Sequence, residues 1–148
     1  MIASASGMPQ RVLFLCTHNS ARSQMAEGLL RAWAGDRFHV RSAGTEPGAL
    51  RPEAVEVMRE IGIDIAGHAS KDLSGFTGQP FEWLVTVCDD AREACPVMPG
   101  IGRQEHWSIE DPSAASGDKE ARLSAFRAAR DDLAARVREL IERTATEE

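Results

Sequence analysis

At 148 residues, with 43% apolar and 27% charged residues, the chain has the size and make-up of one globular domain with its own core. Its net charge of −6 leaves no basic stripe to displace counterions, which excludes wholesale nucleic-acid binding. No apolar run approaches the roughly 18–20 residues that span a bilayer. The three cysteines are odd in number and do not read as a disulfide framework, so the expected compartment is the reducing cytoplasm.

Residues 1–10 lack the basic and apolar segments of a secretory signal and read as a flexible tail. The nearly continuous apolar run from Arg11 to Cys16 predicts a strand buried on both faces. A polar stretch, Thr17 to Arg22, separates it from a helix over about Ser23–Ala34. That helix carries Met25, Leu29, Leu30 and Trp33 on one face, and Ser23 is a candidate N-cap. Phe38–Ser42 reads as a second strand closed by Ala43 and Gly44. Pro52 opens a helix carrying Ala54, Val55, Met58 and Ile61. The Gly-, Ser- and Asp-rich segment 62–80 reads as loop.

Glu82–Cys88 is the clearest buried strand. A short helical piece follows over Asp89–Cys95, ended by Pro96 and Pro99, and Gln104–Ile109 is a candidate fourth strand. From Asp118 to about Arg143, Phe126, Leu133, Val137, Leu140 and Ile141 recur at helical spacing, and residues 144–148 read as frayed. Alternating strands and helices over 11–143 predict a single α/β domain with a central four-stranded parallel sheet flanked by helices. In such sheets ligands sit beyond the carboxyl ends of the strands, where the strand order reverses. Cys16 and Cys88 both close predicted strands.

The chemistry centres on Cys16-Thr-His-Asn-Ser-Ala-Arg22-Ser23, a Cys and an Arg with five residues between them. A loop between a buried strand and a helix start can turn its N–H groups inward as an anion nest, which the helix N-terminus reinforces. On this reading Thr17, His18, Asn19, Ser20, Ala21, Arg22 and Ser23 bind the oxyanion. The Arg22 guanidinium offers a planar fork to two oxygens of a tetrahedral anion. The same field favours a thiolate and makes Cys16 the nucleophile, with Ser23 placed to donate to it. Asn19 is a residue type that tolerates a left-handed turn. The four histidines, at 18, 39, 68 and 106, show no metal-ligand spacing; His18 alone is expected to line the site, and no metal or other cofactor is assigned.

The run Cys16-Thr-His-Asn-Ser-Ala-Arg-Ser-Gln-Met-Ala-Glu27 resembles the active-site loop of the low-molecular-weight tyrosine phosphatase superfamily. Gln24, where true phosphatases usually carry Pro, makes it similar to the arsenate reductase branch. The likeness extends through Ser42-Ala-Gly-Thr45, Val87-Cys-Asp-Asp, Ala94-Cys-Pro96, Glu105-His-Trp107 and Asp111-Pro112. It implies reduction of arsenate to arsenite, with phosphate as an analogue, and Asp111 as the acid on a loop stiffened by Pro112.

The resemblance also implies a relay, in which a Cys16–Cys88 disulfide passes to Cys88–Cys95 and thioredoxin then reduces it. Cys95 lies seven residues beyond Cys88. A fully helical connection would put their Cα atoms about 10 Å apart at ~1.5 Å per residue, whereas a disulfide tolerates about 7 Å. The segment between them must therefore unwind.

Two departures stand out. Some relatives carry an extra Cys in the loop where this chain has Ala21. Some bind potassium through positions matching Asn19, Glu27, Ser42 and an Asp, and Lys71 in the Asp position would place an ammonium there.

A tyrosine phosphatase using Cys16, Arg22 and Asp111 is the alternative. Against it, the chain has no Tyr, and Ser113-Ala-Ala follows the acid where an aromatic pair is usual; weak activity on small phosphate esters is still expected. A redox sensor with the same thiols would oxidise once rather than cycle. No extended apolar patch argues for an obligate dimer, so a monomer is expected.

Overall fold

The computed structural model describes residues 9–88 and 100–146. Four parallel strands form one sheet: β1 (Gln10–Cys16), β2 (Phe38–Gly44), β3 (Phe81–Thr86) and β4 (Ile101–His106), in the order β2-β1-β3-β4. The helices are α1 (Arg22–Ala34), α2 (Pro52–Arg59) and α3 (Lys119–Thr146). Two 3-10 turns, Leu73–Phe76 and Pro112–Ala114, shape the loops. The predicted four-stranded parallel sheet is thus the observed one.

From β1 the chain steps to β2 on one side and then crosses to β3 on the other, so the strand order reverses at β1. Cys16 is the last residue of that strand, at the crevice where such sheets hold ligands. Val12, Leu13, Phe14 and Leu15 are fully buried, as the unbroken apolar run requires of a central strand.

Several boundaries move. β1 begins at Gln10, which the sequence reading left in the tail. β3 ends at Thr86; one further bond, Val87 N–H to Leu15 O at 2.9 Å, carries the chain on to Cys88, so Cys88 lies beyond the strand. β4 starts at Ile101 rather than Gln104. As an edge strand it buries none of its residues and carries almost no apolar pattern, and Gly100, at φ 91°, makes the turn into it. α3 does not fray at 144: it runs to Thr146, and the buried Thr144 donates to Leu140 O at 2.7 Å and accepts from Arg37 Nη2 at 2.9 Å.

Trp33 is 38% exposed under the Arg138 guanidinium rather than part of the core, and Ile61, 42% exposed, lies beyond the end of α2. The helical piece expected over 89–95 lies outside the described residues.

Candidate active site

The loop after β1 is held by its carbonyls. Segment 45–51 donates Thr45 N–H to Cys16 O, Glu46 N–H to Thr17 O, Gly48 N–H to His18 O and Arg51 N–H to Ser20 O, over 2.7–3.3 Å. Ser70 Oγ adds a bond to His18 O at 2.7 Å, Gln24 Nε2 takes Asn19 O at 3.1 Å, and Met25 N–H takes Ala21 O at 2.8 Å. Every carbonyl from Cys16 to Ala21 therefore faces away, and an anion can meet N–H groups instead. Asn19 alone among the described non-glycine residues has a positive φ, 50°, the left-handed turn its side chain suits. Gly44, opposite Cys16 in the sheet, lets the strand end and the loop touch: a Cβ there would stand 2.6 Å from Thr17 O.

At the centre Cys16 is 3% exposed. Its Sγ receives the Asn19 N–H at 3.2 Å and lies 2.8 Å from Ser23 Oγ. Ser23 was a candidate N-cap, but α1 begins at Arg22 with Ala21 at the cap and no capping side chain; the Ser23 hydroxyl serves the thiol instead. The Arg22 guanidinium donates to Ile109 O at 2.9 Å and stands 3.7 Å from Asp111 Oδ1, so Arg22 braces the loop that bears Asp111. Asp111 is exposed and accepts the Ser113 N–H at 2.9 Å, which fixes its rotamer above the cup. The cup leaves about 40 Å³ between Cys16, His18, Ser20, Arg22 and Asp111, and none of its lining residues is Phe, Tyr or Trp.

Cys88, also 3% exposed, lies with its Sγ 3.2 Å from Thr17 Oγ1, which ties it to the residue next to Cys16. The structure thus brings Cys16, the loop through Ser23, Asp111 and Cys88 to one place. Cys95 lies outside the described residues.

Beneath the loop is a polar layer in which Asn19, Glu27, Ser42 and Lys71 come together as the resemblance implied, joined by Arg31, Gln24 and His68, which the sequence reading did not place there. Ser42 Oγ donates to Glu27 Oε1, and Arg31 donates to Glu27 Oε2. Lys71 Nζ stands 3.8 Å from Glu27 Oε1 and donates to Ala69 O at 2.8 Å, while its backbone N–H holds Asn19 Oδ1 at 2.8 Å. The expected ammonium is therefore in place, and a potassium ion beside it does not fit these residues. Burial pushes the Lys71 pKa down against the pull of Glu27. His68, read from sequence as a loop or surface residue, lies in a loop and bonds Gln24 Oε1 through Nδ1 at 2.9 Å. Burial also lowers its pKa, ahead of the opposing Glu27 charge. His68 and Gln24 are 44 residues apart, and no local pattern announces a contact at that separation.

A family model described as low molecular weight phosphotyrosine protein phosphatase matches residues 11–148. The arsenate reductase of Bacillus subtilis is 40% identical over 131 residues, covering 88% of this chain and 94% of the relative. Among solved structures, an arsenate reductase in its phosphate-binding state aligns with TM-score 0.75 at 32% identity, over 90% of this chain and 98% of that one. A thioredoxin-dependent arsenate reductase of Corynebacterium glutamicum aligns with TM-score 0.76 at 27% identity, over 99% of this chain and 67% of that one.

Proposed function

The chain belongs to the low-molecular-weight phosphotyrosine protein phosphatase family, and within it we propose that this protein is an arsenate reductase coupled to thioredoxin. The observation that carries the reading is a second thiol, Cys88, bonded to the loop residue next to the nucleophile. Phosphoester hydrolysis has no use for it, whereas a two-electron reduction needs two thiols.

In the cycle, arsenate rests on the loop N–H groups and the Arg22 fork. The Cys16 sulfur attacks arsenic, and the displaced oxygen leaves as water with a proton from Asp111. Cys88 then attacks Cys16 Sγ. The new S–S bond forms as the S–As bond breaks, its electron pair stays on arsenic, and arsenic(V) leaves as arsenite. Cys95 attacks Cys88 in turn, freeing Cys16, and the dithiol of thioredoxin reduces the Cys88–Cys95 bond. Such a cycle requires a reducing compartment, which supports the cytoplasm. A monomer is supported by the scarcity of large exposed apolar side chains, which among the described residues are Trp33 and Ile61.

The test follows NADPH consumption with thioredoxin, thioredoxin reductase and arsenate. Wild type should cycle, and Cys95→Ser should stop after releasing about one equivalent of arsenite, with no sustained NADPH oxidation. Turnover by Cys95→Ser at the wild-type rate would remove Cys95 from the relay. A phosphatase reading keeps support from Cys16, Arg22 and Asp111, which suffice for aryl phosphate hydrolysis. It becomes the primary reading if arsenate drives no NADPH oxidation while aryl phosphate is cleaved.

A further inference from the structure

The polar layer beneath the loop has a direction, fixed by groups whose donor or acceptor character admits no choice. A guanidinium only donates, so Arg31 Nη1, 3.4 Å from His68 Nε2, makes that nitrogen the acceptor and leaves the ring proton on Nδ1. Nδ1 then donates to Gln24 Oε1 at 2.9 Å. The Gln24 amide is fixed from its other side as well: Nε2 lies 2.9 Å from the Ala69 carbonyl, which can only accept. Nε2 also donates to Asn19 Oδ1 at 3.0 Å, and the Lys71 backbone N–H reaches the same oxygen at 2.8 Å. Asn19 Oδ1 is thereby the acceptor, and Nδ2 faces Ser23 Oγ at 2.8 Å. With its oxygen receiving that bond, the Ser23 hydroxyl has its proton free for Cys16 Sγ, 2.8 Å away.

We propose that Gln24 and His68 are positioning residues for Cys16, forming with Arg31, Asn19 and Ser23 a one-way chain of donors that ends on the sulfur and holds it as an acceptor. Each amide and the imidazole is locked in one orientation, so the last proton points at sulfur before substrate arrives. Successive bonds in such a chain polarise one another in a low-dielectric setting, and Gln24, Asn19 and Ser23 are all fully buried. The chain also pins Asn19 from both its carboxamide and its carbonyl, which keeps the left-handed turn and the cradle with it. The inference rests on Cys16 being the nucleophile, but not on which oxyanion it attacks.

The test uses the full chain with Cys88→Ser and Cys95→Ser, so that iodoacetamide reports Cys16 alone. Into it go Gln24→Glu, which accepts from His68 but cannot donate to Asn19, His68→Leu, which removes the donor, and His68→Asn, which can restore one. Alkylation at neutral pH should slow about tenfold or more in Gln24→Glu and His68→Leu, the scale of a lost charge-assisted bond, and recover to within about threefold in His68→Asn. Melting midpoints of His68→Leu and His68→Asn should be similar, because a purely structural role would move stability and leave the rate untouched. The proposal is overturned if His68→Leu and His68→Asn alkylate alike, even where Gln24→Glu fails to fold. Arsenate turnover is not part of the readout, so failure of the reductase reading would leave this result standing.

Discussion

The Thr17 hydroxyl, on the residue next to Cys16, stands 3.2 Å from Sγ of Cys88, the thiol that the proposed cycle joins to Cys16. A hydroxyl donating to sulfur favours the thiolate that must attack, and it aims that sulfur at the loop. Thr17→Val keeps the shape and removes the donor. It should leave aryl phosphate hydrolysis, which of the two thiols uses only Cys16, within about twofold. Arsenite release in a single turnover should slow about tenfold, the effect of one hydrogen bond worth about 1.4 kcal/mol. Equal slowing of both reactions would mean that Thr17 acts through the cradle rather than through Cys88. At this scale the sequence was legible wherever partners are close along the chain. Cys16, Asn19, Arg22 and Ser23 lie within one loop and the turn after it. The grips of His68 on Gln24 and Arg22 on Ile109 were not legible, because they join residues 44 and 87 positions apart, and Lys71 was placed beside Asn19, 52 positions away, only by the resemblance.

Elements read well where burial imposes a pattern and poorly where it does not. β1 and the core of β3 announce themselves because both faces are covered, whereas β4 buries none of its side chains and shifted by three residues at its start. The end of α3 was missed for a related reason: a Thr looks frayed in sequence, yet Arg37 and Leu140 O bury it. The junction of β2 with the loop depends on a residue that carries no pattern. Gly44 lies opposite Cys16, and a methyl group there would meet Thr17 O at 2.6 Å and Asn19 N at 2.9 Å, both backbone atoms that cannot swing aside. Gly44→Ala should therefore cost about 2 kcal/mol, as overpacking does, and should weaken phosphate binding because the strain falls on the cradle. Thermal melts with and without phosphate separate the two effects. An unchanged midpoint and an unchanged phosphate-induced shift would mean that the loop relaxes freely away from the sheet.

Across the whole molecule, the site is braced from α3 through α2. Arg122 of α3 and Arg51 both reach Glu53, while the Arg51 N–H holds Ser20 O in the anion loop. Further along, Arg127 and Arg130 close on Glu60 just past the end of α2, and the mostly buried Arg130 also donates to Val57 O at 2.8 Å. The Arg127 guanidinium beside Glu60, aided by Arg130, holds that carboxyl below the ordinary carboxylate range. A carboxyl whose folded pKa is depressed adds stability that is present above its unfolded value of about 4.3 and lost as pH falls through the folded one. Wild type should therefore melt at a higher temperature than Glu60→Gln at pH 6, and the gap should shrink as pH drops from about 5 towards 3. Glu53 stays in both proteins, so its own acid titration cancels from the comparison. Salt should narrow the gap at pH 6 as well, because the clasp is partly exposed. Equal melting temperatures at pH 6 would show that α2 is held to α3 by packing of buried residues such as Phe126 and Val57, with the charges as bystanders.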